Sequence, residues 1–233
     1  MKKVLLLSAA CLALAAPAAF AQGLNLAWNE CGLTGVNNFN FPCTGDAGAA
    51  FLYASVVAPA VPNFVGYEST IDVQIDAPSL NDWWALAAGG CRAGFVVSDF
   101  NFLANFNCVD PWGGAAFGGL NYAPNFEGVA NRARINQAAA LAAGIPLGAG
   151  TEYYLGKTVL RFNNTLTCSG CLVPACIVLN SVKLAQPAGQ GDAVIANPAA
   201  SQHVTWQGGG TIECPGATPT QSNTWGQIKT LYR

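Results

Sequence analysis

The sequence predicts a mainly β protein: an antiparallel β-sandwich or jelly roll with one helical insertion and a short C-terminal helix. Short apolar segments recur along the chain, Gly and Pro punctuate them, and one segment alternates strictly between apolar and polar residues. In that segment, Ser69 to Asp76, the apolar residues are Ile71, Val73 and Ile75. A period of two with one polar face is typical of a half-buried antiparallel strand.

Further elements follow from similar patterns. Six other segments are short, apolar and bounded by turn residues, and we predict strands at Phe51 to Val57, Gly94 to Ser98, Glu152 to Phe162, Cys176 to Leu184, Ala193 to Ala196 and His203 to Gln207. Apolar residues recur at helical spacing from Glu127 to Ala143, before Gly144 and Pro146, which predicts the helical insertion. The same spacing after Asn223 predicts the C-terminal helix, Asn223 to Tyr232.

The first 21 residues have the features of a secretory signal peptide. Two lysines precede an apolar stretch from Val4 to Ala16, and small residues at Ala19 and Ala21 mark the cleavage site. That stretch is shorter than the roughly 20 residues that span a bilayer, and no later segment is long and apolar enough. We therefore expect export to the periplasm, cell surface or extracellular space. We also expect one domain over residues 22–233, because no Pro-, Ser- or charge-rich linker divides the chain.

Eight cysteines follow the predicted leader: Cys31, Cys43, Cys91, Cys108, Cys168, Cys171, Cys176 and Cys214. In an oxidising compartment an even number of cysteines predicts disulfides. Proximity favours the pairs Cys31–Cys43 and Cys91–Cys108. For the last four cysteines we expect one bond within the cluster and one that reaches Cys214.

The spacing of Cys168 and Cys171 also fits two other chemistries. A redox pair needs its first thiol at a helix N-terminus, whereas the residues after Cys176 are strand-like. A zinc site would use these thiols with Cys214 or His203, but no second close ligand pair accompanies them. Structural disulfides are therefore the preferred interpretation, and we predict no cofactor.

Charge and residue content exclude several functions. Only 9% of the residues are charged and the net charge is −2, so a nucleic-acid surface is excluded. His203 is the single histidine and no G-x-S-x-G motif occurs, which argues against nucleophilic hydrolysis. Asp72 and Asp76 share a face of one predicted strand, where a solvated surface or, more weakly, a calcium site explains them. A glycoside hydrolase that uses two carboxylates stays open as an alternative.

Aromatic residues interleaved with amides suggest a possible ligand. Flat rings and amide groups suit a neutral glycan, which offers CH faces and hydroxyls but no charge. The candidate ligand-binding residues are Trp83, Trp84, Trp112, Tyr153 and Tyr154. If Trp83 and Trp84 are extended, their side chains point to opposite faces, so one ring is expected in the core and the other is free to be exposed. The competing explanation is that the aromatic residues fill the core and the asparagines form turns.

Several motifs together resemble a group of exported bacterial proteins of unknown activity. These motifs are Asp82-Trp83-Trp84 with Cys91-Arg92, Cys108 to Trp112, Cys176 to Asn180, and the segments Thr205 to Gly208 and Thr224 to Gln227. The resemblance covers most of the chain after the leader and implies export and a disulfide-bonded β-rich domain. The strand plan is more loosely similar to cohesin-like and carbohydrate-binding sandwiches, and fold alone does not determine function.

The sequence therefore favours a non-enzymatic interaction or structural module of the cell envelope or extracellular space. Its expected partner is another protein or a second copy of the chain. The alternative is a carbohydrate-binding module that recognises a neutral glycan.

Overall fold

A computed structural model of the protein describes residues 22–31, 35–105 and 107–209. Eleven strands form within these ranges: β1 (Gly23–Trp28), β2 (Asn38–Phe39), β3 (Ala49–Val57), β4 (Val61–Ile75), β5 (Val96–Asp99), β6 (Phe117–Pro124), β7 (Arg132–Leu147), β8 (Glu152–Arg161), β9 (Ala175–Ala185), β10 (Ala193–Ile195) and β11 (His203–Trp206). The helical elements of the same ranges are two 3₁₀ turns, Asp82–Trp84 and Phe126–Gly128.

The strands form two sheets. The small sheet has the order β1-β3-β8-β5, and the large sheet has the order β2-β11-β9-β4-β7-β6, with β10 paired to β9. Every strand pair is antiparallel except β2 with β11, which is parallel. This agrees with the mainly β, antiparallel prediction.

Both sheets contribute to one hydrophobic core. Leu26 and Val56 lie on the inner face of the small sheet, and Ile71 and Leu179 lie on the inner face of the large sheet; all four are buried in the same cluster. Alternate residues of these strands point away from the core, as expected for a pleated strand. Two sheets around a shared core are consistent with a β-sandwich.

All seven predicted strands are present, as β3, β4, β5, β8, β9, β10 and β11. β4 is the longest of them and begins earlier than expected, at Val61. β1, β2 and β6 were not predicted.

The predicted helix from Glu127 to Ala143 is wrong, because this segment is largely β7. Ala133, Ile135, Gln137 and Ala139 are buried at a period of two, while their neighbours face outward. β7 pairs with β4 on one side and β6 on the other, so tertiary pairing overrides the helical preference of its alanines. The predicted C-terminal helix and the predicted signal peptide lie outside the described residues.

Three disulfides join distant parts of the chain: Cys31–Cys108, Cys43–Cys171 and Cys91–Cys168. Cys176 is also disulfide-bonded. Structural disulfides are confirmed, but the proximity pairs Cys31–Cys43 and Cys91–Cys108 are wrong, and so is a bond within the Cys168 cluster. Cys168 and Cys171 lie between β8 and β9, where the fold places them beside Cys91 and Cys43. The predicted bond to Cys214 lies outside the described residues.

A buried polar network links the two sheets through the core. The Tyr67 hydroxyl of β4 donates to Oε1 of Gln137 in β7 at 2.7 Å. The Gln137 amide donates in turn to Oγ1 of Thr158 in β8 at 2.8 Å. Burial raises the pKa of Tyr67, so the phenol stays protonated and acts as a donor. Gly156 lies directly against this network.

We expect Gly156→Ala to lower the free energy of unfolding by about 1–3 kcal/mol. A Cβ at this position would overlap the Tyr67 hydroxyl and lie 2.7 Å from Oε1 of Gln137. Both groups are held by hydrogen bonds inside the core and have little freedom to retreat. Denaturant unfolding measures the effect, and Gly45→Ala is the control because a Cβ at Gly45 meets nothing within 4 Å. Equal stability of the two variants would contradict the prediction.

Candidate functional site

The adjacent residues Trp83 and Trp84 are both fully buried. They lie on the 3₁₀ turn Asp82–Trp84, which Asn81 caps by accepting a hydrogen bond from the Trp84 N–H. Because the backbone turns here, the two rings do not point to opposite sides as they would in a strand. Trp83 stacks on Trp206 with a centroid distance of 4.6 Å. The prediction that one of the two rings is exposed is wrong.

The other predicted ligand-binding rings are also mostly buried. Trp112 is 2% exposed and its Nε1 donates to the Leu155 carbonyl at 3.0 Å. Tyr154 is 4% exposed. Tyr153 is half-buried and its hydroxyl accepts from the Gly148 N–H. The structure does not gather the five aromatic residues into an exposed platform, because four of them serve the core.

The weak calcium candidates Asp72 and Asp76 do not form a ligand set. Arg134 donates to both carboxylate oxygens of Asp72, at 2.6 and 2.8 Å, and the Asn180 amide donates to one of them. The hydrogen bond to Asp72 raises the pKa of Arg134. Asp76 lies beyond the end of β4 and is exposed. The described ranges contain no group of three or more His, Cys, Asp or Glu residues that could hold a metal ion.

β6 is an edge of the large sheet, and we call its outer side, Phe117–Pro124, the β6 edge. It pairs with β7 over eight residues without a register shift. It has no charged residue, and Pro124 occurs only at its end. Proteins usually protect exposed edges with charges, bulges or prolines, because free backbone groups bind other strands. Within the described chain, no strand pairs with the outer side of β6.

The other sheet edges differ from the β6 edge. Three backbone hydrogen bonds join β1 to residues 197–201, which cover its outer side. β5 has four residues and carries Asp99, and β2 has only two residues. Among the described residues, β6 is therefore the longest edge strand whose outer side pairs with no strand, and β5 of the small sheet lies beside it.

Arg134, opposite Ala123, carries a charge at one end of the β6–β7 pair. The outward side of the rest of the pair, residues 117–121 of β6 and 136–140 of β7, is uncharged. We call it the hairpin face, and its apolar and small residues are Phe117, Gly119, Ala138 and Ala140. Phe117 is 75% exposed, the largest exposed fraction among the large apolar residues of the described chain. No charged residue occurs between Asp110 and Glu127 or between Arg134 and Glu152.

A separate polar cleft of about 190 Å³ lies beside β1, β3 and β8 of the small sheet. Its lining includes Asn25, Asn37, Tyr53, Ser55, Glu152 and Tyr154. Tyr154 is therefore the one predicted ligand-binding residue that borders this cleft. Glu152 is its only carboxylate, so the lining does not provide the acid pair that a two-carboxylate glycoside hydrolase requires.

Sequence reasoning missed both the β6 edge and Glu152. The two charge-free stretches around β6 and β7 were a usable signal for the edge, but the alanines of β7 favoured a helix instead. Glu152 offered no signal, because its neighbours in the cleft come from segments far away in the sequence.

No family model and no curated protein match the chain. Among solved structures, the chain is similar to a cohesin module from a family 33 glycoside hydrolase of Clostridium perfringens ATCC13124. The TM-score is 0.36 at 10% sequence identity, and the alignment covers 77% of this chain and 98% of that chain. In the described residues, none of the helices is long and apolar enough to cross a membrane.

Proposed function

We propose that the protein is an exported interaction module that binds a second copy of itself through the β6 edge. The proposal includes cleavage after Ala21 and a single mature domain over residues 22–233. The disulfides support export, because such bonds form and persist mainly in oxidising compartments. The observation that carries the proposal is the β6 edge, which is uncharged, regular and not paired with any described strand.

A second copy fits this edge for two physical reasons. Antiparallel pairing of β6 with its own copy around a two-fold axis uses the same backbone groups on both sides, as in a closed dimer. No like charges face each other across the two β6 strands of such a pair, because β6 has no charged residue. Pairing would also remove part of the exposed Phe117 ring from water at each copy.

The oxidised mature protein is expected to form a dimer in sedimentation equilibrium experiments. The variant Phe117→Lys with Gly119→Lys is expected to weaken the dimer at least about tenfold, because it adds four positive charges to the interface and removes two apolar rings. The fold should tolerate both changes, since Phe117 is exposed and a Cβ at Gly119 meets nothing within 4 Å.

The matched control is Val194→Lys with Gly45→Lys. Val194 is 67% exposed and Gly45 also has open space around it, but neither belongs to β6. This control should dimerise like the wild type. A wild-type protein that stays monomeric at high concentration, or a β6 variant that dimerises normally, would overturn the proposal. So would a monomer that instead binds an extended segment of another protein at β6.

Recognition of a neutral glycan has less support. Four of the five candidate rings are buried, and the exposed hairpin face has one large aromatic residue, Phe117. A glycan ligand is therefore tested below as a competing outcome at the polar cleft.

A further inference from the structure

Glu152 is held in one orientation at the polar cleft of the small sheet. Its Oε1 accepts hydrogen bonds from the Ser55 hydroxyl at 2.6 Å and from the Asn25 amide at 2.7 Å. Ser55 is 2% exposed, and the Asn25 Oδ1 accepts in turn from the N–H groups of Ala200 and Ser201. The carboxylate is therefore positioned before any ligand arrives, which reduces the entropy cost of binding.

The charge of Glu152 has no cationic partner among the residues that the structure describes. The five ion-pair contacts in these ranges involve other acids. Lys157, in the same strand, instead contacts Asp99 at 2.7 Å and donates to the Asn101 carbonyl. The second oxygen of Glu152, Oε2, accepts no hydrogen bond from a described residue. One carboxylate oxygen is thus available to a donor in the cleft.

The rest of the lining suits a small cation with an alkyl chain. Apolar surface comes from Ala27 and from the rings of Tyr53 and Tyr154, and aromatic rings attract cations. Burial raises the pKa of Tyr53, so its phenol remains neutral. The volume of about 190 Å³ is below the roughly 300–1,000 Å³ of pockets for drug-sized ligands, so it suits one small group.

We propose that this cleft binds a primary alkylammonium group, from a free amine or from a lysine side chain of another protein. The ammonium donates to Oε2 of Glu152, and the alkyl chain packs against Ala27 and the tyrosine rings. The site lies on the small sheet, whereas the β6 edge belongs to the large sheet, so this inference does not depend on the proposed self-association.

The test is a calorimetric titration of the oxidised mature protein with n-butylammonium chloride at low ionic strength. The neutral probes 1-butanol and methyl α-glucoside are titrated in parallel. Butylammonium is expected to bind at least about tenfold more tightly than butanol, because only the ammonium adds a positive charge to its hydrogen bond with the Glu152 carboxylate. Binding is also expected to weaken at about 0.5 M salt, where charges are strongly screened.

The variant Glu152→Gln removes the charge and keeps an oxygen that can accept from Ser55 and Asn25. We expect it to weaken butylammonium binding at least about tenfold. The control Glu127→Gln should bind like the wild type, since Glu127 is exposed, contacts Arg132 and does not line the cleft. If Glu152→Gln does not fold, the preference over butanol and the salt dependence in the wild type decide the question.

Two further probes distinguish the sources of the ammonium group. Cadaverine represents a free amine, and an acetylated, amidated lysine represents a protein side chain; tighter binding of either identifies the source and supports the site. Equal affinity for butylammonium and butanol would overturn the proposal. Binding of the glucoside in preference to butylammonium would also overturn it and would favour the glycan alternative.

Discussion

Reduction of the disulfides is expected to unfold the protein at 37 °C. The three bonds that the structure describes span 77, 128 and 77 residues. Closing loops of this length removes conformational entropy from the unfolded chain that is equivalent to roughly 4–5 kcal/mol for each bond. Their sum is comparable with the total stability of a typical domain, about 5–15 kcal/mol. Circular dichroism with and without dithiothreitol measures the loss of the folded state.

Double alanine variants resolve the contribution of each bond. Cys43→Ala with Cys171→Ala opens the longest loop, and Cys31→Ala with Cys108→Ala opens a shorter one. Each pair is expected to lower the free energy of unfolding by about 2–5 kcal/mol. Iodoacetamide treatment without reductant is the control and should leave the protein folded. A reduced chain that keeps its near-UV spectrum and melting temperature would contradict the prediction.

The disulfide pattern shows what proximity in sequence fails to predict. Cys31 is close in sequence to Cys43, yet Cys31 pairs with Cys108 and Cys43 pairs with Cys171. Sheet pairing determines which loops meet, and this sequence does not specify the order of the strands. The presence of disulfides was predictable because it depends only on the cysteine count and the expected compartment.

Strands were predictable where polar residues alternate with β-branched ones, as in β4. The same reasoning failed for β7, where Ala138 to Ala140 give no alternation on which to base a prediction. Gln137 obscures the strand pattern further, because it is a polar residue at a buried position. Only its hydrogen-bond partners Tyr67 and Thr158, which are distant in sequence, explain why it is buried. The β6 edge was missed for a related reason, since Gly118 and Gly119 have low strand propensity.

The aromatic residues were misassigned because composition does not reveal which surfaces are covered. Trp28 Nε1 donates to the Thr205 carbonyl, and Trp206 Nε1 donates to the Cys171 carbonyl. Large rings that satisfy their N–H groups on backbone carbonyls are stable in a core. The scarcity of charge therefore reflects a largely aromatic core together with outer segments that have no charged residue, such as β6.

Arg92 is a fully buried cation that holds three backbone segments together. Its guanidinium donates to the carbonyls of Asn163, Trp83 and Arg161. It also lies 3.8 Å from the centroid of the Trp83 ring. Within the described chain no carboxylate forms an ion pair with it, and burial lowers its pKa to about 10. Three hydrogen bonds to carbonyl oxygens, rather than an ion pair, therefore compensate for the desolvation of the buried guanidinium.

Arg92→Met is expected to lower the free energy of unfolding by about 3–5 kcal/mol. Methionine fills much of the space but leaves the three carbonyls without donors in a site that excludes water. Arg92→Lys should lower the free energy of unfolding by nearly as much, because an ammonium cannot reproduce the planar guanidinium whose N–H groups reach three acceptors. Chemical denaturation of the oxidised protein measures both variants.

Arg161→Met is the matched control, because the Arg161 side chain is exposed and only its carbonyl takes part in the network. Its expected effect is within about 0.5 kcal/mol of zero.

Arg92 is adjacent to the Cys91–Cys168 bond, and both connect the segment before β5 to the loop after β8. Removing that bond should therefore lower the free energy of unfolding by a different amount in the Arg92→Met variant than in the wild type, since the effects of neighbouring contacts are not additive. Additive losses would show that Arg92 and the disulfide stabilise the fold independently. An Arg92→Met protein as stable as the control would show that these carbonyls find other donors and that Arg92 does not hold the segments together.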